Sequence, residues 1–389
     1  GDANVSPLAV YRHAAKADSV QQRRPNVVLI MMESMSAKFM KHFGQSETLT
    51  PFLDSLYTRS ISFRNFYSAG IHTNHGLYAT LYSFPAMMKR NLMKGSVIPR
   101  YSGLPTVLKE NGYYNFFFMT HEGQYDNMNA FFRTNGYDEV FSQEDYPADK
   151  VVNSFGVQDD FLYDYAIPVL NQRAATGQPF FATLLSISNH PPYVIPPFFH
   201  PKTSEPEMQI VEYADWALRQ FFEEARKQPW FDNTIFVLEG DHGKLVGDAE
   251  CELPESYNHI PLMIYSSRIH PEEKNTFGGQ VDIQPTILGL LNIDYLQNNF
   301  GVDLLKEERP CMFYTADNMI VGRNDTLLYL YNYETQQEFT YHIDNGKLKA
   351  VPMDDRFLPL KEYSFSMLQS AEFLVKHGKT VNSVPFTQQ

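Results

Sequence analysis

The sequence predicts an α/β fold: a doubly wound, mostly parallel sheet flanked by helices, followed by a small C-terminal α+β subdomain. Three observations carry this expectation. Apolar runs of strand length recur between helical patterns from residue 26 to about residue 295, the signature of stacked β-α units. Those runs are apolar throughout rather than alternating, as strands covered on both faces must be. From about Gly301 the texture changes to alternating apolar and polar residues with turn signals, the pattern of antiparallel hairpins.

Composition bounds the function. A chain of 389 residues holds two or three units, or one large domain with an appendage. Hydrophobic residues at 43% and charged residues at 20% are globular values, so a sizeable core forms. The formal net charge of -13 argues against nucleic acid as a partner, which calls for a basic footprint, but leaves room for a phosphate substrate at a metal. Aromatic content of 14%, mostly Tyr and Phe, suits a core and also work near lipid or sugar. No run approaches the roughly 18 apolar residues of a spanning helix. Gly1 to Arg24 reads as a polar lead-in without a signal-peptide pattern, and the start at Gly rather than Met fits either ordinary processing or a fragment of something longer. Cys251 and Cys311 are the only cysteines, and two without a CxxC pattern neither require nor exclude an oxidising compartment.

In chain order, Asn26 to Met32 (NVVLIMM) is a buried strand ending on Glu33, which is either a helix-start acid or a ligand. Thr50 to Ser60 opens with Thr then Pro and carries apolar residues at helical spacing; Ile61 to Tyr67 is a short strand. In SAGIHTNHGLYATLYSF, Leu77 to Phe84 is helical and Thr73 lies at or just before the helix N-terminus. A hydroxyl there is either a cap or a nucleophile supported by the helix dipole and a metal. Leu104 to Asn111 is a helix stopped by Gly112, and Tyr113 to Thr120 is a strand followed by His121, Glu122 and Asp126. Phe180 to Ile187 repeats the pattern, with His190 just beyond it in a loop stiffened by Pro191 and Pro192. Glu207 to Lys227 is a long amphipathic helix. It leads to the strand Thr234 to Leu238, whose C-terminal end carries Glu239, Gly240, Asp241, His242 and Gly243. Ile260 to Tyr265 is a further strand, Asp282 to Leu291 a Pro-initiated helix, and Lys361 to Lys376 a closing helix after the hairpins.

Ligands of open α/β sheets bind at the C-terminal ends of the strands. Glu33, Thr73, Asp241 and His242 converge on that edge. Two carboxylates, an imidazole and a hydroxyl make a four-ligand divalent site suited to zinc or manganese, in which the hydroxyl oxygen is also the attacking group.

NVVLIMMES, HTNHGLYATL, SISNHPPY, the EGDHG turn and DIQPTIL, in this order and spacing, resemble the sulfatase-like group of the alkaline-phosphatase superfamily. Within it the chain is most similar to the lipoteichoic-acid synthase, or phosphoglycerol transferase, branch, over roughly residues 25 to 380. The resemblance implies a lead-in over 1–24, a catalytic domain over 25–300 and a C-terminal subdomain over 301–389. It implies one manganese-like ion, with zinc or magnesium as alternatives, on Glu33, Thr73, Asp241 and His242, and Thr73 as the nucleophile. His190 then matches the substrate-binding histidine, whereas His121 and Asp126, in a loop that departs from the family, stand where a different head group would be contacted. Such enzymes are anchored by N-terminal helices and act outside the bacterial cytoplasmic membrane. Their threonine takes phosphoglycerol from phosphatidylglycerol, releases diacylglycerol and passes the group to an acceptor alcohol.

Departures from the family pattern narrow the expectation. Sulfatases that mature a Cys or Ser to formylglycine need a Cys/Ser-x-Pro-x-Arg setting, which Thr73-Asn74-His75-Gly76 lacks, so sulfate-ester hydrolysis is disfavoured. Ser186 stands where two-metal members would place an Asp, and His259 is the one obvious extra histidine, so one ion is expected. Phosphoethanolamine transferases are typically disulfide-rich, unlike this chain. The loop HEGQYDNMN lacks the Trp and Arg of lipoteichoic-acid synthases. The expectation is a metal-dependent phosphotransferase acting on a phospholipid head group. The alternatives are a phosphate-, phosphonate- or sulfate-ester hydrolase of the same superfamily and a binding domain without turnover.

Overall fold

Asn26–Met32 runs through the middle of an eight-stranded sheet, and its composition fits that place. All seven residues are buried: Val27, Leu29 and Met31 enter one hydrophobic core, Val28, Ile30 and Met32 the other. A strand with two covered faces has no polar side to show. The computed structural model describes residues 10–12, 24–87 and 91–382.

Across the sheet the strands follow the order Glu272–Gly279, Ile61–Tyr67, Leu262–Tyr265, Thr234–Gly240, Asn26–Met32, Phe180–Leu185, Tyr114–Phe118 and Glu139–Phe141. Leu262–Tyr265 pairs antiparallel with both neighbours, and every other pairing is parallel. Helices Thr73–Tyr82, Leu104–Glu110 and Ile283–Leu290 supply one core; Pro51–Thr58, Asp159–Ala175 and Pro206–Ala225 supply the other. Covering both faces makes the sheet doubly wound and brings the C-terminal ends of Asn26–Met32 and Thr234–Gly240 side by side, with Met32 level with Gly240.

Among the elements that escaped the sequence pattern, two did so for plain physical reasons. Asp159–Ala175 is a 17-residue helix with Pro168 inside it, a residue that argues against a helix interior. Glu272–Gly279 is an edge strand whose first half is polar and exposed, as edges that must resist further pairing are. The segment read as a polar lead-in lies largely outside the described residues; within it Val10–Arg12 forms a short strand antiparallel to Tyr295–Gln297.

The C-terminal part is a five-stranded antiparallel meander, Met312–Ala316, Met319–Arg323, Leu327–Asn332, Gln337–Asp344 and Lys347–Ala350, closed by helix Leu358–Lys376. The turn read at Asp344, Asn345 and Gly346 is present, with positive φ at Asn345 and Gly346. This subdomain grips the segment before Thr73. The Thr315 amide donates to the carbonyl of Ala69 (3.0 Å), and Asn258 Nδ2 donates to the carbonyls of Ser68 (3.3 Å) and Thr315 (3.0 Å). His72 Nε2 lies 2.7 Å from Asp317 Oδ1. Cys251 and Cys311 are both free thiols. Among the described residues no helix is long and apolar enough to cross a membrane.

Candidate metal centre

Asp241 divides its two carboxylate oxygens. Oδ1 accepts the backbone N–H groups of Ser34 (2.8 Å) and His242 (2.7 Å), which fixes the rotamer. Oδ2 is left to face inward, where Thr73 Oγ1 donates to it at 2.8 Å. Glu33 is set in the same way from the neighbouring strand end. Its backbone N–H donates to Ser186 Oγ (3.0 Å), Ser34 Oγ donates to its Oε1 (3.1 Å), and Thr73 Oγ1 lies 3.1 Å from its Oε2. Ser34 adopts φ 51°, a conformation uncommon outside glycine, which bends the chain straight after Glu33.

Thr73 is the first residue of helix Thr73–Tyr82, so its hydroxyl stands at the positive end of the helix dipole. The helix comes this close because residue 76 is glycine: a Cβ there would sit 2.3 Å from the Asp241 carbonyl oxygen. Gln280 ties the two segments, its Nε2 donating to that same carbonyl (2.8 Å) and its Oε1 accepting from the Ala69 amide (2.9 Å).

His242 Nδ1 lies 2.7 Å from the carbonyl of Gly243, which assigns its proton to Nδ1 and turns Nε2 inward. Nε2 is 3.6 Å from Glu33 Oε1 and 3.5 Å from Asp241 Oδ2. The electrostatics are those of crowded like charges. Burial raises the Glu33 carboxyl, but the hydrogen bond and charge of His242 outweigh it and hold the group at about 2. Burial and the charge of Glu33 push Asp241 well above the usual carboxylate range. Burial lowers His242, yet the carboxylates of Asp241 and Glu33 lift it to about 9. One ligand atom from each of the three lies within 4.8 Å of the others, and this is the one such group among the described residues. Two buried carboxylates with an inward imidazole nitrogen and a hydroxyl fit a single divalent cation, which would offset the charge they share.

The remaining sequence candidates surround this centre. His190 and His121 are both near enough for electrostatic coupling to Glu33. Each holds Nδ1 against a backbone carbonyl, Pro191 at 2.7 Å and Glu122 at 3.0 Å, leaving Nε2 available. Burial lowers the His121 pKa, which favours the neutral ring. Asp126 does not reach the cluster as a free acid; it pairs with Lys94 at 3.0 Å. Ser186 sits beneath Glu33, whereas His259 hydrogen-bonds the Arg64 carbonyl (2.8 Å) between the rings of Phe43 and Tyr67 and is no ligand here. Glu239, inside the EGDHG turn, is buried against Thr80 Oγ1 on the helix that begins at Thr73, and burial pushes its carboxyl up.

Sequence reasoning missed Lys244. Its Nζ donates to Asn189 Oδ1 (2.7 Å) and Tyr193 OH (2.9 Å), while Asn189 Nδ2 donates to the Ser34 carbonyl (3.2 Å). That chain ties the His190 loop to the segment after Glu33. The signal was adjacency: Lys244 directly follows the EGDHG turn, and Asn189 directly precedes His190.

Comparison with known proteins gives the family and the shared fold. The Sulfatase family model matches residues 25–293. Lipoteichoic acid synthase 1 of Bacillus subtilis is 25% identical over 354 residues, covering 84% of this chain and 54% of the relative. Lipoteichoic acid synthase 2 of the same organism is 24% identical over 315 residues, covering 73% and 47%. The chain thus spans about half the length of the curated relatives it matches. A crystal structure of an alkaline phosphatase superfamily protein from Vibrio parahaemolyticus superposes with a TM-score of 0.87 at 26% identity, covering 98% of this chain and 94% of that one. The lipoteichoic acid synthase LtaP from Listeria monocytogenes shares the fold, with a TM-score of 0.79 at 21% identity over 94% and 96% of the two chains. With well over half its length matched by the family model and its fold shared with that superfamily, the chain belongs to the sulfatase family of the alkaline phosphatase superfamily.

Proposed function

We propose that this chain is a metal-dependent phosphotransferase of the phosphoglycerol-transferase type, acting on a phospholipid head group at the outer face of a bacterial cytoplasmic membrane. One observation carries the reading: Thr73 Oγ1, at a helix N-terminus, points between Glu33 and Asp241 beside the inward Nε2 of His242. Glu33, Asp241, His242 and Thr73 would hold one divalent ion, manganese before zinc or magnesium. When bound, such an ion supplies positive charge that favours the alkoxide form of a coordinated hydroxyl and offsets charge on phosphoryl oxygens.

The chain's own residues account for the rest. Thr73 Oγ1 attacks phosphorus, forming an O–P bond as the bond to the diacylglycerol oxygen breaks. Its proton passes first to Asp241 Oδ2, already 2.8 Å away. The helix N-terminus beneath Thr73 stabilises the negative charge that develops. His190 Nε2 gives a proton to the leaving diacylglycerol oxygen, with His121 beside it at the head group. In the second half the acceptor alcohol's oxygen attacks phosphorus and gives its proton to His190 Nε2, the Thr73 O–P bond breaks as the phosphoglycerol group is transferred, and Thr73 Oγ1 recovers its proton from Asp241. The lipoteichoic acid synthases among its relatives support this substrate class.

The test is intact-protein mass spectrometry of the manganese-loaded chain after incubation with phosphatidylglycerol, beside Thr73→Ala. An adduct of phosphoglycerol mass that requires Thr73 is expected. A metal-loaded chain that never gains it, under any quench, would sink the reading. Product analysis with and without an added polyol separates transfer from hydrolysis.

A further inference from the structure

A short β-hairpin, Val151–Asn153 and Gly156–Val157, carries Phe155 at its tip and leans on the end of the strand Tyr114–Phe118. Thr120 Oγ1 donates to the Phe155 carbonyl (2.9 Å), and the Val157 amide donates to the Thr120 carbonyl (3.1 Å). Gly156 has φ 91°, and a Cβ there would meet the Thr120 carbonyl oxygen at 1.6 Å, so no other residue allows this seat. The Phe155 amide is capped by Asn153 Oδ1 (2.8 Å). The tip is therefore fixed in place by hydrogen bonds to its backbone on both sides of the ring it presents.

That ring lies between the two histidines beside the metal centre. Its centroid is 4.0 Å from the imidazole of His190 and 6.5 Å from the ring of Tyr125, which in turn lies 4.7 Å from the imidazole of His121. His190, Phe155, Tyr125 and His121 form one continuous array of rings joining the loops after the strands Phe180–Leu185 and Tyr114–Phe118. Nδ1 of each histidine is tied to a backbone carbonyl, so one hydrogen bond and one tilted ring contact together set the direction of each Nε2. Acids beside the array are already compensated: Asp126 pairs with Lys94, and Glu144 accepts from the Gly123 amide and Ser142 Oγ.

We infer that Phe155 is a positioning residue of the donor pocket, its ring setting the plane of the His190 imidazole and, through Tyr125, that of His121. The inference rests on the function proposed above, in which both histidines meet the head group. A hydrogen bond alone leaves an imidazole free to pivot about it; a ring packed against it removes that freedom. Aromatic contacts of this kind carry enough energy for roughly a tenfold effect on binding when lost.

The test compares Phe155→Leu, which keeps apolar bulk without a ring, and Phe155→Trp, which keeps a ring, with the unaltered manganese-loaded chain. Binding of glycerol 1-phosphate by calorimetry, KM and kcat for phosphothreonine formation from phosphatidylglycerol vesicles, manganese content and melting temperature are read for each. The expected result is glycerol phosphate affinity and KM impaired roughly tenfold in Phe155→Leu, with manganese content and melting temperature close to the parent and most of the loss spared in Phe155→Trp. Unchanged affinity and KM in Phe155→Leu, or equal loss in both variants, overturns the inference while leaving the proposed function standing. A parent chain that neither binds glycerol phosphate nor forms the adduct overturns that function, and the inference with it.

Discussion

Thr73 Oγ1 lies 2.8 Å from Asp241 Oδ2, although the two residues are 168 positions apart in the chain. Neither local segment fixes this distance alone. Met32 and Gly240 pair across adjacent parallel strands, which brings Glu33 and Asp241 to one edge. The Cβ-less face of Gly76 then lets the helix that begins at Thr73 touch the Asp241 carbonyl. Strand pairing places the carboxylates, and helix packing delivers the hydroxyl between them.

Replacing Thr73 by Ala removes the proposed nucleophile and leaves both carboxylates and the imidazole. Turnover is expected to fall by at least about a thousandfold, with no covalent adduct. Manganese is still bound, because three donors remain. Thr73→Ser retains an adduct at reduced rate. Elemental analysis beside intact mass decides the matter: wild-type turnover in a metal-loaded Thr73→Ala protein excludes the mechanism.

Asp241→Asn separates ligation from structure. The amide oxygen can still accept the Ser34 and His242 amides, as Oδ1 does now, but the inward charge is gone. Metal affinity is expected to drop by at least about a hundredfold. Without metal the variant melts no lower than wild type, since one of two crowded buried carboxylates has been neutralised. Wild type is expected to gain stability from manganese by mass action, about 2.7 kcal/mol at a hundred times its Kd, and the variant to gain little at the same concentration. Thermal scans with manganese and with a chelator read both halves; an equal manganese-induced rise in the two proteins contradicts the assignment.

The sequence made part of this legible for a definite reason. Glu33, Asp241 and His242 each follow an apolar run that reads as a fully buried strand, and strand ends collect at one edge of a parallel sheet. Thr73 was legible as the start of a helix. Gln280 and Phe155 were not, because their tasks exist only after folding: one staples two carbonyls to a loop amide, and the other faces His190 from a hairpin too short to leave a periodic pattern. The helix bearing Asp159 was hidden by Pro168.

Asp159 gives stability a pH dependence. Its Oδ1 accepts the amides of Ile187 (2.9 Å) and Ser188 (3.0 Å), anchoring the loop that carries His190. Burial, outweighing those hydrogen bonds, raises its carboxyl from 3.8 to about 6. The folded chain therefore holds this proton more tightly than the unfolded one. The resulting stabilisation is complete below the unfolded value and is lost as pH rises through about 6, on the order of 3 kcal/mol in all. Asn at this position can keep both bonds through Oδ1 and does not titrate. Denaturant unfolding of both proteins is expected to show Asp159→Asn gaining on wild type between about pH 4 and about pH 7; parallel profiles would refute the account.

Gly76→Ala tests whether close approach matters more than helix propensity. Within a helix, alanine is favoured over glycine by about 1 kcal/mol, so propensity alone makes the variant more stable. Against this, the new methyl would sit 2.3 Å from the Asp241 carbonyl oxygen, 3.1 Å from its carbonyl carbon and 3.2 Å from Gln280 Nε2. That oxygen belongs to backbone held by Gln280 and by the sheet, so no side-chain rotation relieves the contact. Overpacking of this kind costs about 1–3 kcal/mol or more, and the clash is expected to win. The helix then moves away from the Asp241 turn and carries Thr73 Oγ1 with it. A displacement of about 1 Å at a reacting atom costs roughly a hundredfold in rate, so adduct formation falls further than the melting temperature suggests. A Gly76→Ala protein that melts higher and forms the adduct at the parental rate would mean that this contact does not position the nucleophile.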